Sequence, residues 1–205
     1  MAAYTVGAVF DALAHQHFTH AATTLPIVGT ARTASGTMLF VELEFMHGFI
    51  EAAANTNPGF FRVQVTQEGT NNDQWVTVAE FTVFNGTPTS IDPTNAEGAG
   101  DTLVETTVTT GATVGGYYYW QDATAVADGE WVTVGNFVAA TSITLIDGIT
   151  NAKAATDLLF SNAEHWTWKL ELGGVERYRV CYIHAGAVGA DAAFWVRGRE
   201  VTAIA

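Results

Sequence analysis

The sequence predicts an all-β protein: a β-sandwich of the immunoglobulin-like or jelly-roll type, with an inserted small β-barrel-like subdomain and an N-terminal arm. Three observations predict this fold. Apolar and polar residues alternate with the period of two typical of strands, in long segments before residue 86 and after residue 162. Clusters of Gly, Asn and Asp supply turns between the strands. The chain has 205 residues, 48% of them hydrophobic, so it can bury a sizeable core.

Residues 1–30 form the predicted arm. They are rich in Ala, Thr and His and only weakly periodic, and a short helix is predicted over residues 9–17. A segment of this kind either forms a strand on its own domain or extends to bind a neighbouring subunit. Its two phenylalanines, Phe10 and Phe18, are candidate interface residues.

Two strongly alternating segments follow the arm. Residues 59–84 alternate on both sides of a turn cluster at 69–73, which predicts a β-hairpin. Before it, residues 39–45 predict a strand with one apolar row on a core face. That row consists of Leu39, Val41, Leu43 and Phe45.

Residues 85–101 are the clearest boundary in the chain. They hold two of the four prolines, three glycines and almost no large apolar side chain. Beyond the boundary the sequence predicts several short, closely spaced strands. Such strands are typical of a small barrel or an additional sheet layer. The predicted short strands are 103–108, 117–120, 131–138 and 142–146.

The last part of the chain resumes the long alternation. The passage from Leu172 through Gly174 to Tyr178 resembles the passage between strands E and F of immunoglobulin-like sandwiches, although the spacing from Leu to Gly is one position short. The resemblance implies a tyrosine corner at Tyr178. The strands predicted here are 166–172, 178–182 and 194–201.

We predict that residues 31–90 and 163–205 pair into one main sandwich, with residues 101–160 as the inserted subdomain. Two alternatives stay open. One is a pair of consecutive domains divided near residue 95. The other is a sandwich of residues 103–205 alone, which would leave barely three strands before the boundary, a marginal domain.

The charge of the chain restricts its partners. Eight Lys and Arg against 21 Asp and Glu give a formal charge of −13, which repels phosphate backbones and anionic lipids. No basic segment precedes the apolar residues at the N-terminus, and no window reaches the ~18 apolar residues of a membrane span. We therefore expect no nucleic-acid partner, no signal peptide and no membrane partner. The single cysteine, Cys181, forms no disulfide framework.

The densest set of metal-type ligands is the group His15, His17 and His20. On a strand, His15 and His17 share a face, but no neighbouring carboxylate or cysteine completes a set of four ligands. The acids at Asp122, Asp128 and in other turns also lack the spacing of a calcium loop. The sequence therefore predicts no metal and no cofactor.

The chain also lacks recognisable catalytic motifs. It contains no Gly-x-Ser-x-Gly elbow and no phosphate-binding loop. Glu42 and Glu44 share one face of a strand, as exposed strand acids commonly do, and no cleft between two acids can be identified. We expect a protein that is not an enzyme.

The aromatic run Tyr117–Trp120 is the strongest candidate ligand site. A strand here places Tyr118 and Trp120 on one face and Tyr117 and Tyr119 on the other. We predict that Tyr118 and Trp120 are exposed, where they could stack on sugar rings or anchor a protein partner. Core packing is the expected role of most other aromatic residues.

Residues 109–117, 131–134 and 143–150 resemble segments of tailed-bacteriophage virion proteins, and residues 176–180 with 194–197 are similar to the closing strands of such proteins. The resemblance implies a head decoration (cement) protein or another auxiliary virion component, with head and tail locations left open. It implies the major capsid protein or other virion subunits as partners, a homo-oligomer with the trimer favoured, and a place in the virion after synthesis in the host cytoplasm. The alternative is a carbohydrate-binding or adhesin module that uses Tyr118 and Trp120.

Overall fold

The computed structural model describes residues 4–18, 26–34, 36–53, 59–67, 74–84, 86–184 and 191–203. These residues form strands, turns and one 3₁₀ turn, Val126–Asp128. None of them belongs to a helix long and apolar enough to cross a membrane. The strands are β1 (Tyr4–Phe18), β2 (Ile27–Val28), β3 (Arg32–Thr33), β4 (Met38–Phe49), β5 (Gly59–Thr66), β6 (Val76–Thr82), β7 (Ser90–Ile91), β8 (Leu103–Glu105), β9 (Tyr117–Trp120), β10 (Glu130–Val138), β11 (Ser142–Leu145), β12 (Leu159–Phe160), β13 (Glu164–Glu171), β14 (Arg177–His184) and β15 (Ala192–Ala203).

The strands form three antiparallel sheets. Sheet I has the order β1-β15-β4-β13, and sheet II has the order β2-β14-β5-β6 with β3 also paired to β14. Sheet III has the order β7-β12-β9-β10-β11-β8. Sheets I and II draw their strands from both ends of the chain, and sheet III draws all of its strands from residues 90–160.

Sheets I and II form a jelly roll. If β2 and β3 count as one interrupted strand, these sheets contain eight strands, and the first pairs with the last: β1 with β15, β2 and β3 with β14, β4 with β13, and β5 with β6. The eight strands thus form one long antiparallel ribbon that is folded over so that its two arms meet. When they are numbered 1 to 8 in chain order, their order is 1-8-3-6 in sheet I and 2-7-4-5 in sheet II. An eight-stranded double sheet of this kind is the jelly-roll architecture. The predicted all-β sandwich is confirmed, and the strand order identifies it as the jelly-roll type.

Aromatic rings fill the space between sheets I and II. Phe45 of β4 packs edge-to-face on Phe61 of β5 with the ring centres 5.4 Å apart, and Tyr182 stacks on Phe194 at 4.4 Å. Each such ring contributes roughly 1.5–3 kcal/mol by leaving water. The predicted core row is largely confirmed: Val41, Leu43 and Phe45 are fully buried, whereas Leu39 is 46% exposed.

Sheet III has its own apolar core, which includes Tyr118, Trp120, Val134 and Leu159. Its edge strands β7 and β8 do not pair with each other, and an isolated bridge joins Pro93 to Thr106 nearby. Of the two forms predicted for this segment, a small barrel or an additional sheet layer, the structure has the sheet layer, because sheet III is open.

Most predicted strands are confirmed, and two local predictions are wrong. The hairpin over 59–84 is the antiparallel pair β5 and β6, while its turn at 69–73 lies outside the described residues. The helix predicted over 9–17 is wrong, because β1 pairs with β15 from Tyr4 to Phe18. The tyrosine corner is wrong as well, since the Tyr178 hydroxyl donates to Glu200 Oε1 at 2.7 Å and not to the backbone. The proposed division into domains stays a prediction.

Candidate interaction surfaces

The predicted exposure of Tyr118 and Trp120 is wrong. Tyr118 is 2% exposed and Trp120 is fully buried, because both side chains enter the core of sheet III. The Tyr118 hydroxyl donates to the Gly111 carbonyl at 2.6 Å, and the Trp120 indole donates to the Asp157 carbonyl at 2.9 Å. Neither ring face is available to stack on a ligand.

Phe10 and Phe18 are half-buried and contact their own domain. Both pack against the core between sheets I and II. The Arg32 guanidinium lies 3.7 Å from the centre of the Phe10 ring, and the Phe18 ring meets Tyr182 edge-on at 5.9 Å. A role for either ring in an interface stays a prediction.

Sheet III rests on the outer face of sheet I, and the contact is centred on Tyr119. Its hydroxyl lies 3.2 Å from His15 Nε2 and 2.9 Å from His17 Nε2, both on β1. A hydroxyl has one proton and two lone pairs, so it can donate to one imidazole and accept from the other. We call this contact the seam; it comprises His15, His17, Gly48, Tyr117, Tyr119, Trp131, His165 and Trp195.

Close packing accompanies the hydrogen bonds of the seam. Trp131 lies against Tyr119 with ring centres 4.7 Å apart, and Trp195 stacks on His15 at 5.6 Å. Gly48 of β4 faces Tyr119, and a Cβ at this glycine would collide with the Cβ of Tyr119. The absence of a side chain at Gly48 therefore lets sheet III approach sheet I.

Burial in the seam disfavours the protonated forms of His15 and His17. Burial, assisted by His17, lowers the pKa of His15 to about 4, against a weaker opposing effect of Asp11. Burial also lowers the pKa of His17, opposed by Asp122. His20 lies outside the described residues, and the part of the chain that the structure describes contains no group of three metal-type ligands.

A second polar group extends the seam along sheet I. Glu44 accepts hydrogen bonds from His165 Nε2 at 2.7 Å and from Arg197 Nε at 2.8 Å. The His165 ring stacks on Tyr117 of β9 with ring centres 5.3 Å apart. On the outer face of sheet I, Glu44 is therefore paired with Arg197, and Lys169 is paired with Glu171.

Lys153 is a buried cation within the sheet III region. Its side chain is fully buried, and Nζ donates to the Asp128 carbonyl and lies 3.4 Å from Glu130 Oε1. The Glu130 carboxylate also accepts from the backbone N–H of Thr150 at 2.9 Å. This pair holds the 3₁₀ turn, which contacts β1, against the segment before β12.

The outer face of sheet II is basic and aromatic. Arg62 of β5 and Arg177 and Arg179 of β14 point away from the core, and Glu80 is paired with Arg62 at 2.7 Å. The Arg179 guanidinium lies 4.2 Å from the centre of the Trp75 ring. We call Arg62, Trp75, Arg177 and Arg179 the arginine face.

The arginine face was not identified from the sequence. The signal is present, because Arg62, Arg177 and Arg179 occupy the polar positions of two alternating strands. Only the pairing of β5 with β14, however, brings Arg62 beside Arg179, since Arg62 pairs with Cys181 and Gln64 pairs with Arg179.

The sheet III region, residues 86–163, is acidic. It contains nine Asp and Glu against one lysine, Lys153, so it carries a formal charge of −8 out of the −13 of the chain. The acids gather around β8. There burial raises the pKa of Glu97, and the carboxylates of Asp101 and Glu105 raise it further.

No protein-family model matches this chain, and no curated protein matches it. Among solved structures, it is similar to a chain of infectious bursal disease virus, Gt strain, with 10% identity and a TM-score of 0.28; the match covers 98% of this chain and 42% of that chain. It is also similar to VP17, a capsid protein of bacteriophage P23-77, with 9% identity and a TM-score of 0.20 over 98% of this chain and 99% of VP17. The chain spans less than half the length of the bursal disease virus chain.

Proposed function

We propose that this chain is a structural virion protein, and more specifically a capsid decoration or cement protein that stabilises a phage head by bridging capsid subunits. The observation that supports it most is the strand order of sheets I and II, because viral capsid domains are among the proteins built on the jelly roll. Lectins and cupins share this architecture, so the surroundings of the fold must support the proposal too.

The core between sheets I and II is filled with aromatic rings, which favours binding of partners to the outer surface. The rings of Phe45, Phe61, Tyr182 and Phe194 interlock between sheets I and II and leave this core packed. The chain therefore meets its partners with its faces and edges. In this proposal it binds and bridges, and it is not an enzyme.

The edges and faces of the molecule suit a bridging role. On β6, the edge strand of sheet II, Val76 is 61% exposed and Val78 is 45% exposed. An edge strand with exposed apolar residues can pair with a neighbouring subunit. Sheets II and III add two further surfaces of opposite charge.

A particle that lacks this protein tests the proposal. We expect shells without it to open at a lower temperature, because bridging contacts between capsid subunits are missing, and we expect purified protein to restore the wild-type opening temperature. Particle melting followed by release of packaged DNA measures both. Equal thermal resistance with and without the protein, together with no binding to purified shells, would overturn the decoration role.

A further inference from the structure

The molecule consists of three layers with opposite charge at its two ends. Sheet III contacts the outer face of sheet I through β9 and the 3₁₀ turn, and sheet II lies on the other side of sheet I across the aromatic core. The acidic region and the arginine face therefore lie at opposite ends of the stack. A molecule with this polarity can bind a second copy head to tail.

The arginine face has the composition of a protein interface. Arg and Trp, together with Tyr, are the residue types enriched among those that dominate binding energy. Arg62 is held in place by Glu80 at 2.7 Å, and Arg179 is held by Gln64 Oε1 at 2.8 Å and by the Trp75 ring. Because these contacts order the guanidinium groups before binding, less side-chain entropy is lost when a partner carboxylate arrives.

The opposite end offers a matching surface. β8 is an edge strand of sheet III and is separated from the seam strand β9 by β10 and β11. Asp92 and Glu105 are exposed there, beside Leu103, which is 50% exposed. Carboxylates around an exposed apolar side chain complement guanidinium groups around an indole ring.

We propose that the β8 end of sheet III in one copy of this chain binds the arginine face of the next copy, in a repeated head-to-tail contact. This inference rests on the proposed function and names a second copy of the chain as the partner. Because the two contacting surfaces differ, the contact is heterologous, and it closes into a ring or continues along a surface. A repeat of this kind would link decoration subunits to each other.

Charge reversal tests the contact. We expect the wild-type chain to self-associate, and we expect the variant Arg62→Glu/Arg179→Glu to raise the apparent Kd for self-association about tenfold or more. The variant Asp92→Lys/Glu105→Lys reverses the charge of two exposed side chains on the β8 surface. It should raise the apparent Kd by as much as the arginine variant does. A mixture of the two variants should associate again, because their reversed surfaces are complementary. Sedimentation velocity at about 50 mM and about 500 mM salt measures all four samples, and high salt should weaken the wild-type contact.

Arg199→Glu is the matched control, since Arg199 is an exposed arginine on the opposite side of the sandwich. It should leave self-association unchanged, and circular dichroism establishes that each variant is folded. A monomeric wild-type chain would overturn the inference, and so would folded reversal variants that associate like wild type or a mixture that stays dissociated. These results would not decide the proposed virion role, which particle composition and shell melting test separately. Failure of the head-to-tail contact can therefore be distinguished from failure of the virion role.

Discussion

At the scale of single residues, the seam depends on one hydroxyl shared by two imidazoles. The Tyr119 hydroxyl contacts His15 and His17 together, and the histidine that accepts its proton must be neutral. The groups that face this pair are Asp11, Asp122 and Lys153. Acidification therefore opposes the packing of sheet III on sheet I.

The first prediction concerns pH. The folded-state pKa of His15, about 4, lies below its ordinary value of 6.5, so its contribution to stability is complete above pH 6.5 and is lost as the pH falls towards 4. Since the site is partly open to solvent, the loss between pH 7.5 and pH 5 should be on the order of 1 kcal/mol. Urea unfolding at both pH values measures it. The variant His15→Gln/His17→Gln should lose less stability over this interval, and an equal loss in both proteins would contradict the assignment.

The second prediction concerns Lys153. Lys153→Ala removes the partner of the Asp128 carbonyl and of Glu130 and leaves a cavity, so the free energy of unfolding should fall by about 2–4 kcal/mol. Lys169→Ala is the matched control, because the Lys169 side chain is 49% exposed in its pair with Glu171 and should contribute less than about 0.5 kcal/mol. Chemical denaturation compares the two variants. Equal effects would show that burial does not set the strength of the Lys153 contacts.

At the scale of strands, the third prediction concerns the approach of β9 to β4. Gly48→Ala places a methyl group against Tyr119, so it should destabilise the protein by about 1–3 kcal/mol and loosen sheet III from sheet I. Gly36→Ala is the control, since nothing lies within 4 Å of a Cβ there. Thermal unfolding and limited proteolysis of residues 86–101 measure the two effects. A Gly48→Ala protein that melts and resists protease like the control would contradict the close packing.

Local patterns predicted most strands but not β1. Its helix prediction failed because three register shifts interrupt its pairing with β15, between Val6 and Val9, between Asp11 and Leu13, and between Leu13 and Gln16. Each shift adds a residue to β1 and breaks the alternation by which a strand is recognised. The short strands β9 and β10 have uninterrupted pairing with each other and were predicted within one residue of their observed bounds.

The candidate site failed for a different reason. Alternation correctly separated Tyr118 and Trp120 from Tyr117 and Tyr119 on β9, but it assumed that one of the two faces meets solvent. One face of β9 enters the core of sheet III, and the other packs on sheet I at the seam. Burial of a second face depends on a contact between distant segments, which no pattern within one strand contains.

At the scale of the whole molecule, the wrapped ribbon and the separated charges are properties of pairing between distant segments. β1 and β15 pair although they lie at opposite ends of the sequence, so the jelly roll is recognised only when all strand partners are known. The charge difference between the sheet III region and the rest of the chain is visible in the sequence, but its position opposite the arginine face requires the three-layer order. Fold class was therefore predictable, whereas surfaces were not.

The proposed virion role is tested most directly by the copy number of this chain in phage particles purified from cells that express it. Quantitative mass spectrometry of gradient-purified particles should find the chain in a fixed ratio to the major capsid subunit, because a bridging protein occupies equivalent sites on the shell. That ratio should persist after a wash that removes adsorbed host proteins. Absence of the chain from particles, or trace amounts that vary between preparations, would contradict a structural role in the virion.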